Sequence, residues 1–591
     1  MSRRATLVAV ALGLVLALLP VSPAAAHALL EGTAPVRGAV VETAPGQVVL
    51  RFSEPVEIEF GAVRVFDAAG DQVEVGRPYH PGGTGSRVAV NLRRGIEDGG
   101  YTATYRVVSA DSHPVSGGFV FSVGSRAAPA ASVADLLGKD GAGPVTAVAF
   151  AAVRAIEFAA ITLGIGVLAV LLLTWMPGLR ETSGASADWR AAAGAFAARS
   201  RRLLVVAAIA GIAAVVLALP LQAAMAEGAS VWSALDRAPD VLSTRFGLVW
   251  GVGALLWLVV GVVAGGLRQS VPSLRPATVG ATGLALSGAR AGTLVLLLPV
   301  LGLAFLPGLG GHAGTQSPEA VLLPANVVHV LAAGAWIGGI AVLVLALPAA
   351  TRRLDAPDRT RLLTAVVSRF SGMALLAVAA LVAAGVLQAV LELDAVDDLW
   401  TTGFGRAVLV KSALVLVLVG LGALNRRRTV PGLKRATRAG EAPGAAGHLL
   451  RRALRVELAL GLAALVATGV LAGHSPSSSQ AAGPFSASRD LGPARAELTV
   501  EPARPGPNEI HVYLFRRSDG RQYDAPKELR IEASQPDRGI EPIKLEGRKA
   551  GPGHYVIAGA PLSPPGTWRL ELVARVSDFD EYRTRFSVPI E

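Results

Sequence analysis

Eight apolar stretches of about 20 residues or more run through the middle of this 591-residue chain. They lie near 145–175, 202–226, 243–267, 290–308, 324–349, 366–391, 403–424 and 453–473. Each is long enough to cross roughly 30 Å of hydrocarbon as a helix. Within hydrocarbon only a helix or a closed barrel satisfies its own backbone polar groups, so the stretches predict an eight-span α-helical bundle. Composition agrees, since 52% hydrophobic against 17% charged residues is too apolar for a water-soluble chain of this length.

The connections between the stretches alternate in charge. The first carries Arg180, Arg190, Arg199, Arg201 and Arg202; the third, Arg268 and Arg275. The fifth carries Arg352, Arg353, Arg359 and Arg361, and the seventh includes Arg426, Arg427, Arg428, Lys434 and Arg435. The even-numbered connections are acidic or neutral, with Glu227, Asp236 and Asp240, then Glu319, then Glu392, Asp394, Asp397 and Asp398. Lys/Arg excess marks cytoplasmic loops, which puts both ends of the bundle outside a plasma membrane that the chain crosses several times. The same arrangement explains the net charge of +11 without nucleic acid.

A secretory signal peptide is predicted over 1–26. Arg3 and Arg4 form its charged region, Leu7 to Leu19 its apolar run, and Ala24-Ala25-Ala26 its cleavage site. Removal would make His27 the mature N-terminus. Residues 27–124 alternate in short runs, such as Val48-Val49-Leu50-Arg51-Phe52 and Val63-Arg64-Val65-Phe66, between Gly/Pro/Asp turns. That pattern predicts a β-sandwich. A linker over 125–144 leads into the membrane domain, 145–473, and a second over 474–493 leads out of it. Residues 494–591, with Ile510 to Phe515 and Trp568 to Val573, read as another extracytoplasmic β-sandwich.

The absence of cysteine excludes disulfides and thiolate sites, and four methionines are too few for a Met-rich Cu(I) site. Nitrogen and oxygen ligands remain. A mature His27 offers an α-amine and an imidazole to one ion. Asp111 and His113 are two apart, so on an extended strand they would share a face. Three nitrogens and one carboxylate oxygen form a tetragonal set suited to Cu(II). The competing reading is that Asp111 and His113 cap a turn before Pro114.

Here the residues resemble a known family. Ala26-His27-Ala28-Leu29-Leu30, Ala34-Pro35, Ala44-Pro45 and Leu50-Arg51-Phe52-Ser53-Glu54-Pro55-Val56 are similar to the opening of the CopC family. Ser109-Ala110-Asp111-Ser112-His113-Pro114-Val115-Ser116-Gly117 resembles its second metal motif. The resemblance implies a CopC-like Cu(II)-binding β-sandwich with ligands at His27, Asp111 and His113. In the membrane domain, Val328-His329 to Gly339, Arg369-Phe370-Ser371-Gly372, Gly403-Phe404-Gly405-Arg406 to Lys411, and Asn425-Arg426-Arg427 resemble the CopD family. CopC before CopD in one chain is similar to fusions of the YcnJ type. The last domain looks like their YtkA-like module, in Gly551 to Val556 and Pro565 to Trp568.

His329 is predicted to lie about one turn into the fifth span. An ionisable residue at such a position points to function. Trp336, seven residues on, is expected on the same face, and Gly338 and Gly339 would admit a neighbouring helix. With His312 these form a candidate copper relay, and Glu392 and Asp394 are further outer groups. Arg154 and Glu157, three apart, are a candidate ion pair. His511 and His554 are weak candidate ligands in the last domain, each read more simply as a structural strand histidine.

The resulting expectation is a multidomain membrane protein that binds Cu(II) outside the cell and passes copper to or across the membrane. Copper ions and the lipid bilayer are its expected partners, with an unidentified copper chaperone or cuproenzyme beyond them. The chain reads as a binding and transport protein, not an enzyme. The rivals are a membrane-anchored copper chaperone or sensor without transport, and a histidine-brace copper oxidase, in which Asp111 would block a position oxygen needs. Bis-histidine haem lacks its second in-span histidine, and no P-loop is present.

Overall fold

The computed structural model describes residues 28–124, 136, 142–266, 295–474 and 485–590, without 29, 61, 62, 111, 113, 185, 317, 394, 395, 502, 504, 519 and 520. The predicted signal peptide lies outside the described residues. The chain forms two compact units, one of Ala142–Ser479 with Met1–Ala24, the other of Ala25–Gly141 with Gln480–Glu591.

In the second unit, the N-terminal part has nine strands: β1 Leu30–Ala34, β2 Val40–Val41, β3 Gln47–Phe52, β4 Val56–Glu57, β5 Val63–Phe66, β6 Glu74–Tyr79, β7 Arg87–Leu92, β8 Gly99–Ser109 and β9 Pro114–Val123. They build sheets ordered β1-β3-β7-β6 and β2-β9-β8-β4, with β5 also on β8. Alternation does what the sequence expects. Val48, Leu50 and Phe52 of β3 point inward beside Val88 and Val90 of β7, and they meet Tyr105 and Phe121 in one core.

The C-terminal part has β10 Phe485–Leu491, β11 Ala494–Glu501, β12 Gly506–Arg516, β13 Glu528–Gln535, β14 Ile540–Glu546, β15 Arg548–Gly551, β16 His554–Leu562, β17 Gly566–Arg575 and β18 Glu581–Ile590. Its sheets run β10-β11-β12-β16-β15 and β14-β13-β17-β18 around a core that includes Ile510, Val512, Leu514, Tyr555 and Trp568. The domain starts earlier than predicted. Phe485–Leu491 pairs with β11 across Gly492, whose φ of 58° permits the tight turn, so the predicted linker over 474–493 ends in a strand.

The first unit is helical: α1 Gly143–Thr182, α2 Ala187–Glu227, α3 Arg245–Gly266, α4 Val295–Leu309, α5 Glu319–Thr351, α6 Ala356–Glu392, α7 Gly403–Ala439 and α8 Gly444–Leu471. All but α4 are long and apolar enough to cross a membrane, seven among the described residues. Residues before Val295, where the fourth predicted span begins, lie outside the described set. The arginines expected in loops mostly extend helices instead. Ser186 caps α2 through Trp189 N–H and Asp355 caps α6 through Asp358 N–H, and Arg and Lys are good helix formers, so the helices continue past the apolar stretch. Leu248, Leu255 and Val262 of α3 and Leu416 and Val417 of α7 stay exposed, an apolar surface suited to lipid.

Contacts sort the connections by end. At one end Trp189 Nε1 donates to Asp358 (2.9 Å) and Thr360 Oγ1 to the Glu441 carbonyl (2.7 Å), joining the first, fifth and seventh connections. At the other, Arg245 donates to the Leu309 and Gly314 carbonyls, so α4 ends beside the start of α3. There also Arg154 donates to the Ala472 carbonyl at 2.7 Å, setting the start of α1 beside the end of α8.

Candidate metal centre

The three predicted ligands His27, Asp111 and His113 lie outside the described residues; their flanks are inside. Ala28 is buried, and Leu30 of β1 pairs with Phe52 of β3. The chain then turns through Ser53-Glu54-Pro55 into β4, where Val56 pairs with Ser109, and Ala110 N–H donates to Glu54 Oε1 at 3.3 Å. The segment after His27 and the segment entering Asp111 therefore meet neighbouring parts of one stretch, Phe52 to Val56. The extended strand expected through Asp111 and His113 is interrupted. β8 ends at Ser109 and β9 resumes at Pro114, paired with Val108. Ser112 N–H donates to the Ser109 carbonyl, and its φ is 71°, a conformation uncommon for a residue with a Cβ. Strain of this kind concentrates at functional loops.

In the membrane domain the structure moves His329 deeper than expected. α5 begins at Glu319, with Pro324 inside it, so His329 stands ten residues from the helix start, about 15 Å along the axis. Its ring packs on α6: a Cβ added at Gly385 would sit 3.2 Å from His329 Cε1. Nδ1 is buried without a hydrogen-bond partner among the described residues. One turn outward, Asn326 Nδ2 donates to Gln388 Oε1 (3.2 Å). Further out, Glu392 lies in electrostatic reach of His312 and of Lys411 on α7, and Lys411 also reaches His329. Residues 385, 388 and 392 of α6 are three and four apart, hence on one helix face. Gln388 and Glu392 make that face polar opposite α5, and Gly385 gives the His329 ring room beside them.

His312 is half-buried in the turn His312–Gly314, with Nε2 3.3 Å from the His474 carbonyl oxygen. His474 packs on Gly403 and its Nδ1 donates to the Val470 carbonyl at 2.9 Å. Asp394 lies outside the described residues. Trp336 does not line up with His329. Residues Gly334–Gly338 form a π-turn, which inserts a residue into the helical register, and Trp336 is sealed in the bundle core. Gly338 does admit a neighbour, since a Cβ there would overlap the Thr162 carbonyl of α1. Arg154 and Glu157 have other partners: Arg154 lies over the Phe150 ring (3.9 Å) and bonds Ala472, while Glu157 accepts from Trp257 Nε1 at 2.9 Å. Gln388 and Lys411 are polar residues of the row that the sequence reading did not assign. The spacing Gln388–Glu392 in an apolar span was the available signal. His511 and His554, read singly as structural, stand side by side.

A family model for the CopC domain matches residues 30–124 and one for Copper resistance protein D matches 364–471. The chain is 26% identical over 582 residues to the copper transport protein CutJ of Bacillus subtilis (strain 168), covering 95% of each. It is 27% identical over 281 residues to Copper resistance protein D of Pseudomonas syringae pv. tomato, covering 46% of this chain and 82% of that protein. Protein YobA of Escherichia coli (strain K12) matches at 31% over 98 residues, 17% of this chain and 79% of that one. The first two of these carry copper transport or resistance in their names, and the helical unit makes the chain a multi-pass membrane protein. With a CopC domain and a Copper resistance protein D region in one polypeptide, the chain belongs to the CopC–CopD fusion proteins.

Proposed function

We propose that this protein takes up Cu(II) outside the cell at His27, Asp111 and His113 and passes copper to the membrane domain, where it reaches His329 by way of His312 and Glu392. In this reading both β-domains are extracytoplasmic, as the positive-inside rule requires of the basic ends of α1, α2, α6 and α7. The observation that carries it is the polar row along α6. A histidine with an unpartnered nitrogen, a hydrogen-bonded amide pair and a carboxylate are costly in a membrane bundle and are characteristic of ion paths. Neutral imidazole nitrogen and carboxylate oxygen both suit copper. The approach of both ligand-flanking segments to Phe52 to Val56 supports the capture site.

The test is a His329→Ala variant at normal abundance in the membrane. Copper accumulation by cells should fall while Cu(II) binding by the full chain at its N-terminal domain is unchanged. Normal accumulation would remove His329 from the path.

A further inference from the structure

We propose that His511 and His554 form a second copper site, on the C-terminal sandwich and beneath the loop that joins β1 to β2 of the N-terminal one.

On β12 the residues Ile510, Val512 and Leu514 face the core, so His511 and Tyr513 belong to the opposite face by strand alternation. On β16 Tyr555 and Ile557 face the core, which puts His554 on that same outer face. The register sets His511 opposite Val556 and Tyr513 opposite His554, so the two histidines are diagonal neighbours. An outer sheet face is normally wet, yet His511 is 7% and His554 6% exposed. The covering comes from the N-terminal sandwich. A Cβ at Gly38 would lie 3.2 Å from His554 Cε1 and 3.8 Å from His511 Cε1. The loop is held there by an ion pair from Arg37 to Glu501 and by Gly38 N–H bonded to the Val120 carbonyl (2.7 Å). Gly38, at φ 66°, leaves room for the rings.

His511 Nδ1 and His554 Nε2 are 3.1 Å apart. Two imidazole nitrogens bound at about 2.0 Å to one ion stand about 2.8 Å apart at a right angle and about 3.3 Å apart at the tetrahedral angle. The observed gap falls between these. It is too short for linear two-coordinate Cu(I), which needs about 4 Å on the same bond length. Glu509 Oε1 lies 3.5 Å from His511 Nε2. A carboxylate behind the second ring nitrogen is the usual support of a metal-binding histidine, because it fixes the proton there and leaves the other nitrogen free. His511 then accepts through Nδ1 and His554 donates from Nε2. Binding an ion requires only that the His554 proton move to its own Nδ1, with no net release. Tyr513 stacks on His554 with ring centroids 4.3 Å apart and holds its plane. Among first-row ions a cis pair of imidazoles favours Cu(II) over Zn(II).

The test is a titration of the purified metal-free full-length chain with a Cu(II) salt, counting copper per chain. A His113→Ala background disables the capture site of the proposed function, so the two ideas fail separately. The unaltered chain should bind one ion more than His113→Ala. Adding His511→Ala or His554→Ala to that background should lower the count by one more. Glu509 is 53% exposed, so Glu509→Gln leaves the fold alone; in the same background it should weaken binding at least about tenfold. Retention of that copper in either histidine variant would overturn the site. So would an unchanged affinity in Glu509→Gln, which remains decisive if the histidine variants fail to fold.

Discussion

One residue added ahead of His27 would separate two kinds of ligand. With His27 at the mature N-terminus, its α-amine and imidazole chelate the same ion; with an alanine in front, that amine becomes an amide and the chelate is lost. Cu(II) binding by the N-terminal domain should then weaken by more than about tenfold, the cost of roughly one nitrogen ligand, and an unchanged affinity would show that the amine is not used. His329 makes the complementary point. Its Nδ1 has no partner among the described residues, and a buried polar atom left unmatched costs about 1–3 kcal/mol. The sequence already marked His329, because a histidine in an apolar run stands out. The pairing of His511 with His554 was not legible. The two are 43 residues apart and meet only through the register of β12 with β16.

Elements were legible where one periodicity dominates. Val48 to Phe52, Val63 to Phe66, Ile510 to Phe515 and Trp568 to Val573 alternate cleanly and lie in β3, β5, β12 and β17. β10 was taken for a linker because Phe485-Ser-Ala-Ser-Arg-Asp-Leu has little apolar contrast; it is fixed by pairing with β11. Of the eight expected spans, seven are helices long enough to cross a membrane among the described residues and the fourth is the shorter Val295–Leu309; most helices run longer than the apolar stretches. Hydropathy ends at the membrane boundary, whereas backbone hydrogen bonding continues through arginine-rich turns such as 190–202. Face arguments failed in two places. The π-turn at Gly334–Gly338 removes Trp336 from the His329 face, and Arg154 and Glu157 take partners from other elements. Gly338 is the tightest point between α1 and α5, since an added Cβ would meet backbone rather than a flexible side chain. Gly338→Ala should destabilise the membrane domain by about 1–3 kcal/mol through overpacking, read as a lower melting temperature in detergent. Gly372→Ala, with open space at its Cβ, should leave melting unchanged. Equal melting of the two variants would contradict the close crossing.

At the scale of the molecule, α4 carries the parity of the topology. Its end meets the start of α3 through Arg245, and the start of α1 meets the end of α8 through Arg154. Those contacts are what an even number of crossings, with the basic connections at one end, requires. A reporter active only in the cytoplasm should therefore be silent after Glu591 and active in the connection between α1 and α2; activity after Glu591 would mean an odd number of crossings. The central claim is that copper held outside by the N-terminal domain is delivered through the membrane domain. Its most direct measurement is cell-associated copper at limiting external copper, in cells with the protein, without it, and with His113→Ala at matched abundance. The account predicts more copper with the intact protein than without it, and a fall towards the protein-free level in His113→Ala. Equal copper in all three would contradict delivery and leave the membrane helices as an anchor for a binding domain.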